Sequence, residues 1–489
     1  MPSRWTNATI FRLLALVILF ASGAAYEIAR LSCLHGLANG DYWWHLRTGL
    51  GILESHALPH TGLYSQSAAA PWIASSWLYD LAIAVSYRTL DLRSLVFVAV
   101  GFKVALAAIV FLLAVGLRGR FGLAVALTIS AQYLLGNMQP LPAYCSALAF
   151  AAELMLLLQY RRTGNIRAIY ALPPLFILWA NLDPQFVYGI LLLLLFVLAA
   201  TLERWGDREG ISWLSSTPGT SLRAVLAVSG LCLFSSVITP YGWSSYGIFF
   251  SGLTSVANPY FADHLALRFR TPHDYVLLLL VMAAFLALGM RRSKDIFLIG
   301  LLVACAAASF HAQKDSWLVV LAAVALIANR PALDPDDESL SLSQPLLAAG
   351  AAALLMFAIV AVRVPHGQSA MLAEIGHTYP VRAVDFIREK HLPKPLFNSF
   401  AWGGFLTWDL PEYPVAIDGR TDLYGDDFNI QYAKVMNAEQ HYSTFPPLNH
   451  AGTLLLEKNS LMATALATVP GFKTVYSDDV AIVLVREQQ

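Results

Sequence analysis

An acidic residue beside two tryptophans, close to the start of the chain, is the clearest candidate for chemistry. Asp41 lies in the run GDYWWH (40–45), just past the first apolar segment. In one interpretation the tryptophans form an interfacial belt at the level of the lipid headgroups, and the aspartate only solvates the loop. In the other, Asp41 is a catalytic carboxylate that deprotonates an acceptor hydroxyl or holds a divalent cation. Trp43 and Trp44 would then stack on a sugar or headgroup, with His45 as a further ligand.

Three more groups of polar residues interrupt apolar sequence at positions predicted to face the same side of a membrane. Asp183, in the run NLDPQ, is either a functional intramembrane acid or part of a polar hairpin. His311 and Lys314, in FHAQKD, open an apolar segment, and the lysine would bind a lipid-linked phosphate or simply snorkel to the interface. Arg268 and Arg270 are further candidates for binding phosphate.

The composition indicates a membrane protein. Of 489 residues, 57% are hydrophobic and only 13% charged, whereas a soluble domain carries roughly 25% charged residues. Apolar stretches long enough to cross a bilayer recur from Ile10 to about Val362, and they predict 11 to 12 membrane segments. The net charge is zero, and no phosphate-binding glycine loop is present. Nucleic acid is therefore not an expected partner.

Basic residues predict the orientation of these segments. Because short loops rich in Lys and Arg stay on the cytoplasmic side, the N-terminus is expected inside and everything after Arg363 outside. The chain would then be a multi-pass protein of the bacterial inner membrane. The segment 73–88 breaks the alternation if it crosses fully, so a re-entrant or interfacial course is an alternative. The acidic segment 331–344 is expected to be an exposed connector. The loops predicted to be cytoplasmic are 118–120, 161–167, 204–208, 291–294 and Arg330.

The last part of the chain has a different character. Residues 1–364 are expected to form the transmembrane domain, with a first periplasmic loop at 31–72, and residues 365–489 a periplasmic domain. Apolar runs there shorten to strand length and alternate with helical patterns, which predicts a small α/β domain with a partly parallel sheet. Strands are expected at 395–398, 414–418, 453–456 and 480–485, helices at 380–391, 428–436 and 460–467, and a turn at 402–404.

Two stretches resemble a known superfamily. The run beginning GDYWWHLRTG looks like the first periplasmic loop of bacterial GT-C integral-membrane glycosyltransferase-like proteins. These include protein mannosyltransferases and the aminoarabinose transferases of lipid A. The stretches 397–428 and 475–486 resemble the C-terminal domain of one branch of the superfamily. The resemblance implies a helical membrane fold with a soluble C-terminal domain.

The resemblance also implies a reaction. GT-C enzymes transfer sugar from a polyprenyl-phosphate-linked donor at the outer face of the membrane, and a first-loop carboxylate, here matched by Asp41, lies at the active site. The acceptor would be a glycan, lipid or protein. The usual second acid two positions on is replaced by Trp43, so a divalent cation (Mg or Mn) and a metal-free mechanism both stay open. A GT-C-shaped scaffold without activity and a transporter of lipid-linked precursors are the alternative functions.

Overall fold

The computed structural model describes residues 7–32, 40–116, 120–211, 214, 221–329 and 343–487. These residues are mostly helical, with one small sheet near the C-terminus. In chain order the helices are α1 (Asn7–Ser32), α2 (Asp41–Ser55), α3 (Trp77–Leu90), α4 (Ser94–Gly116), α5 (Phe121–Leu134), α6 (Pro142–Thr163), α7 (Leu172–Leu182), α8 (Phe186–Arg208), α9 (Leu222–Ser235), α10 (Ser244–Thr254), α11 (Pro272–Met290), α12 (Ile296–His311), α13 (Ser316–Ala328), α14 (Ser343–Arg363), α15 (Gln368–Ile375), α16 (Val381–Lys390), α17 (Phe400–Asp409), α18 (Thr421–Tyr424), α19 (Asp426–Met436), α20 (Pro446–Asn449) and α21 (Leu461–Leu466). The strands are β1 (Leu396–Asn398), β2 (Thr453–Glu457), β3 (Phe472–Ser477) and β4 (Ala481–Arg486).

The chain divides into two compact units. The first comprises Met1–Glu27, Ala99–Phe249 and Phe261–Ala361, and it contains most of the apolar helices. The second comprises Ile28–Val98, Phe250–Tyr260 and Val362–Gln489. The second unit therefore contains α2 and α3 from the beginning of the chain together with the whole C-terminal sheet.

Long apolar helices make this chain a polytopic membrane protein. Among the described residues, six helical stretches have the length and composition to cross a membrane, and four more apolar helices of 10–17 residues accompany them. The shorter ones are 121–134, 166–182, 222–235 and 296–311. The six long stretches are Thr9–Tyr26, Trp77–Gly116 (which covers α3 and α4), Pro142–Thr163, Phe186–Arg208, Pro272–Met290 and Ser343–Arg363.

Helix α13 lies at the centre of the first unit. It is apolar on all sides, and nearly all of its 13 residues are buried, from Trp317 to Ala328. Helices α5, α6, α11 and α12 pack against it. A helix that is hydrophobic all round needs such complete cover, so its sequence alone explains its position inside the unit.

The second unit is built on a four-stranded sheet in the order β1-β2-β4-β3. Strands β1 and β2 are parallel, with Phe397 opposite Leu454, and the other two pairs are antiparallel. The core of the domain lies against this sheet and includes Phe397, Ile417, Leu454 and Leu484. The small sheet and the apolar helices confirm the predicted fold class.

Residues from the beginning of the chain fold onto this domain within the second unit. Helix α2 packs against α3 and α17. The approach to α17 is so close that a Cβ on Gly404 would lie 1.9 Å from the carbonyl oxygen of Gly40. The Gln66 side chain donates a hydrogen bond from Nε2 to the carbonyl oxygen of Leu396, at 2.6 Å. Strand β1 is thus held partly by a residue of the first long loop.

Several local predictions need correction. Residues 414–418 form no strand and only a single bridge, between Val415 and Ser65. The backbone N–H of Ala416 and the carbonyl of Ile417 are instead bound by the side chain of Asn398. Residues 402–404 form part of helix α17 and not a turn. Strand β3 was not predicted, because its residues alternate poorly between apolar and polar. The predicted connector 331–344 lies outside the described residues up to position 342.

The segment predicted at 73–88 is helix α3, with 14 residues. It packs along α2, and the two belong to the second unit. These features favour the course without a full crossing.

Candidate functional site

Asp41 is the first residue of α2, directly after Gly40. Its side chain accepts a hydrogen bond at Oδ1 from the indole Nε1 of Trp44, one turn along the helix, at 3.1 Å. Unpaired backbone N–H groups at a helix start favour a negative charge there. Asp41 is half-buried, so its carboxylate can be reached from solvent.

A tight loop of the C-terminal domain lies against this carboxylate. We call Asp418-Gly419-Arg420 the DGR loop. A Cβ built on Gly419 would lie 1.6 Å from Oδ1 of Asp41 and 2.9 Å from Nε1 of Trp44. Only a glycine permits so close an approach. Because Asp41 and Gly419 are far apart in the sequence, no local sequence pattern could have predicted this contact.

An ion pair inside the DGR loop fixes its shape. The guanidinium of Arg420 donates to both carboxylate oxygens of Asp418, with Nη2 to Oδ2 at 2.6 Å and Nε to Oδ1 at 3.0 Å. Both residues are buried, and the guanidinium lies 5.1 Å from the ring centroid of Trp72. Bidentate geometry and an aromatic neighbour make this pair more rigid than an exposed one.

His45 pairs with an aspartate that the sequence interpretation missed. Its Nδ1 lies 2.5 Å from Oδ1 of Asp80 on α3, and both side chains are buried. The ring of Trp44 stacks on the imidazole, with centroids 3.6 Å apart. A carboxylate in this position selects the imidazole tautomer and holds α2 to α3. An acid in the apolar run WLYDLAIA is the signal that could have identified Asp80.

The two tryptophans next to Asp41 lie in different surroundings. Trp43 is 1% exposed, and its ring contacts those of Tyr379, Phe405 and Trp408. Trp44 is half-buried beside Asp41. Trp44 therefore has surface to offer a ligand, while the ring of Trp43 is occupied by its neighbours. The binding roles predicted for Trp43, Trp44 and His45 stay predictions.

Asp183 belongs to the first unit. It follows the end of α7, is 5% exposed, and accepts a hydrogen bond from Oγ of Ser146 at 2.5 Å. The indole of Trp179 in turn donates to Oγ of Ser146 at 2.7 Å. The acid is thus held inside the helix bundle by a chain of hydrogen bonds, as a buried polar group requires. A solvated hairpin would leave it exposed.

Lys314 and its neighbours form a charged cluster in the same unit. Its Nζ donates to Nε2 of His264 at 3.2 Å. The residue as a whole is exposed, yet surrounding protein atoms remove water from the ammonium and lower the pKa of Lys314. The carboxylates of Asp315, Asp183 and Asp263 partly offset this effect. The charge of Asp183 is thus one of those that act on Lys314.

The charge of Lys314 also shifts the pKa values of His264 and Asp315. Burial and the charge of Lys314 lower the pKa of His264 to about 4, so the imidazole is neutral at pH 7 and accepts from the ammonium. Burial raises the pKa of Asp315, and the charges of Lys314 and His311 oppose that rise. His311 itself is exposed at the end of α12. Asp315 was not singled out from the sequence.

The two arginines predicted to bind phosphate lie outside this set of contacts. Arg268 and Arg270 are exposed, and in the described part of the chain neither guanidinium forms an ion pair. The backbone N–H of Arg270 donates to Oδ2 of Asp274 at 3.0 Å, which helps to start α11. Their predicted role is therefore neither supported nor opposed by a side-chain contact.

A metal site built only from protein side chains is not found in the described ranges. No group of three or more His, Cys, Asp or Glu residues there is arranged to hold an ion. Asp41 would thus contribute at most part of a coordination sphere, and substrate oxygens would have to supply the rest.

Comparison with solved structures identifies the fold. The archaeal oligosaccharyltransferase AglB from Archaeoglobus fulgidus, solved with an inhibitory peptide and a dolichol-phosphate, matches 99% of this chain and 75% of its own, with a TM-score of 0.53 and 13% identity. ArnT from Cupriavidus metallidurans in the apo state matches 96% of this chain and 98% of its own, with a TM-score of 0.45 and 13% identity.

The fold assignment rests on the first of these structures, whose fold this chain shares. No family model matches the chain. No curated protein matches it either.

Proposed function

We propose that this chain, which has the GT-C fold, is a membrane glycosyltransferase. It would move a sugar from a polyprenyl-phosphate-linked donor to an acceptor outside the cytoplasm. The supporting observation is the structural match over 99% of the chain to an oligosaccharyltransferase solved with a dolichol-phosphate. Because one fold hosts many functions, the proposal also needs a site, and Asp41 provides it.

In this proposal Asp41 acts on the acceptor. Its carboxylate takes the proton of the acceptor hydroxyl or amide, the freed electron pair attacks the anomeric carbon, and the bond from that carbon to the phosphate oxygen breaks. The lipid phosphate leaves with the bonding electrons. A divalent cation bound by Asp41 and substrate oxygens would instead stabilise the leaving phosphate. Both versions need a negative charge held in one orientation, which Trp44 and the start of α2 supply.

Within the first unit we propose Lys314 as a cation that binds the phosphate of the lipid carrier. Its ammonium already donates to neutral His264, and the carboxylates of Asp315, Asp183 and Asp263 partly offset the burial that lowers the pKa of Lys314. Lys314→Ala is expected to weaken binding of tritiated undecaprenyl phosphate about tenfold or more, the usual worth of one hydrogen bond to a charged group. Lys390→Ala, which removes an exposed lysine at the end of α16, should leave the affinity unchanged. Equal affinity of wild type and Lys314→Ala would exclude this role.

The function is tested by direct transfer. Purified protein in lipid nanodiscs would receive undecaprenyl phosphate carrying radiolabelled mannose or glucose, together with a membrane extract from its host as acceptor. Appearance of label in the acceptor supports a transferase. Label that crosses the bilayer of sealed vesicles without changing carrier would indicate a transporter of lipid-linked precursors. Neither transfer nor transport would favour a scaffold.

We infer that the second unit faces the periplasm. Helices α2 and α3 belong to one folded unit with the C-terminal sheet, so the two must lie on the same side of the membrane. That requires an even number of crossings between them. The five long helices α4, α6, α8, α11 and α14 reach an even number together with the five shorter apolar helices α5, α7, α9, α12 and α13. With α1 crossing outward from a cytoplasmic N-terminus, both parts lie outside.

A cysteine introduced at Gln440, which is exposed in the C-terminal domain, tests this orientation. An impermeant maleimide is expected to label Gln440→Cys in intact spheroplasts as fast as in broken membranes, since the residue would already face the medium. The native cysteines would first be replaced by serine. Labelling that begins only after the membrane is broken would show that the C-terminal domain faces the cytoplasm.

A further inference from the structure

The contact between the DGR loop and Asp41 has an unusual chemical asymmetry. The atoms that a Cβ at position 419 would strike are the ends of two side chains, Oδ1 of Asp41 at 1.6 Å and Nε1 of Trp44 at 2.9 Å. At the neighbouring Gly403 and Gly404, a Cβ would instead strike backbone carbonyl oxygens at 2.1 Å and 1.9 Å. A methyl group at 419 can therefore be accommodated if the Asp41 carboxylate moves, whereas one at 403 or 404 requires the backbone to move.

The DGR loop itself is not free to retreat. Asn398 on β1 holds the segment that leads into it, since its Nδ2 donates to the carbonyl oxygen of Ile417 at 2.8 Å and its Oδ1 accepts from the N–H of Ala416 at 2.9 Å. The Asp418–Arg420 pair then closes the loop from within. The backbone at Gly419 is thus a fixed wall, and the carboxylate of Asp41 is the movable partner.

We propose that Gly419 is a positioning residue for Asp41, and that the C-terminal domain is by this contact a structural part of the first-loop site. The carboxylate of Asp41 lies against both the indole N–H of Trp44 and the backbone of Gly419. A reacting group gains from such confinement because it need not reorganise when charge develops. The expected effect on sugar transfer rests on the proposed function. The effect on the position of the Asp41 carboxylate does not.

The first measurement follows the carboxylate and not the reaction. Purified protein would be treated with a water-soluble carbodiimide and glycine ethyl ester, and the modified fraction of Asp41 would be followed over time by peptide mass spectrometry. Gly419→Ala is expected to raise the rate of Asp41 modification severalfold, because the displaced carboxylate loses its cover. Gly252→Ala, in α10 of the same unit, adds a Cβ with nothing within 4 Å and should change nothing.

The second measurement follows transfer. Gly419→Ala is expected to lower the rate about 10²-fold, the typical cost of misplacing a reacting group by about 1 Å. In the Asp41→Asn background the same substitution should lower the rate no further, since the group that Gly419 positions is already removed. A full additional loss in that background would show that Gly419 acts through something other than Asp41, and it would overturn the proposal.

The two measurements separate the two hypotheses. If modification of Asp41 rises but Asp41→Asn transfers sugar normally, Gly419 positions a carboxylate that is not catalytic, and the proposed chemistry fails while the contact stands. If Gly419→Ala does not fold, Trp44→Phe serves instead. It removes the N–H that binds the Asp41 carboxylate without adding volume, and it is expected to raise the rate of Asp41 modification in the same way. An unchanged modification rate in every folded variant of the two would overturn the positioning role.

Discussion

Asp41→Asn is expected to lower the rate of sugar transfer by about 10²–10⁴-fold, the usual contribution of a positioned general base. Asparagine keeps the volume of the side chain and can still accept from the indole of Trp44, so the helix start should be preserved. What is lost is the negative charge that accepts a proton or binds a cation. Since the residue is half-buried at a helix end, the free energy of unfolding should change by about 0.5 kcal/mol or less. Radiolabelled transfer and melting curves on the same preparation measure both quantities.

A matched control is available in the same unit. Asp427 lies in the first turn of α19 and is exposed, so Asp427→Asn removes an equivalent helix-terminal charge away from the candidate site. It should retain full transfer. If Asp41→Asn also transfers at the wild-type rate, the first-loop carboxylate is not catalytic and the proposed mechanism is wrong.

Arg420→Ala is expected to cause the largest loss of stability, about 3–5 kcal/mol, because it leaves the buried carboxylate of Asp418 without its charged partner. Asp418 is 0% exposed, and three of the hydrogen bonds to its carboxylate come from the Arg420 guanidinium. Intrinsic tryptophan fluorescence is a suitable probe of melting, since Trp72 lies beneath that guanidinium. The melting temperature of the second unit should fall by roughly 10 °C.

Two further variants show whether the loss of stability in Arg420→Ala comes from the unpaired charge of Asp418. The double variant Asp418→Leu/Arg420→Met replaces the whole pair by apolar side chains and should recover most of the loss, since no unpaired charge remains. Arg382→Ala breaks an ion pair with Asp478 in which the arginine is 66% exposed, and such pairs contribute about 0–1 kcal/mol. Equal losses for Arg420→Ala and Arg382→Ala would show that the DGR loop does not depend on its internal pair.

Sequence reasoning succeeded where structure follows from local composition. The apolar runs marked the membrane helices, and three of the four observed strands were placed within one or two residues, because burial and periodicity act on neighbouring residues. The prediction from sequence was wrong where one local pattern is compatible with two structures. Residues 402–404 suggested a turn because of two adjacent glycines, but those glycines serve close packing of α17 against Ile417 and Gly40.

The candidate site was only partly accessible to the same reasoning. Asp41 could be identified because an acid flanked by tryptophans is conspicuous. Its partners could not, since Gly419 meets it only in the folded chain and Asp80 is concealed in an apolar helix. Spacing along a sequence carries no information about contacts between such distant segments.

The hydrogen bond from Gln66 to Leu396 joins residues 330 positions apart, and it has a consequence for biogenesis. Synthesis proceeds at about 5–20 residues per second, so residues 40–98 wait on the order of half a minute before their partner strand exists. Through that interval α2 exposes the ring of Trp43, which the C-terminal domain later covers. Until the C-terminal domain is made, Trp43 lacks the rings of Phe405 and Trp408, and Gln66 lacks the carbonyl of Leu396. A chain truncated before Leu396 is therefore expected to keep the ring of Trp43 exposed permanently.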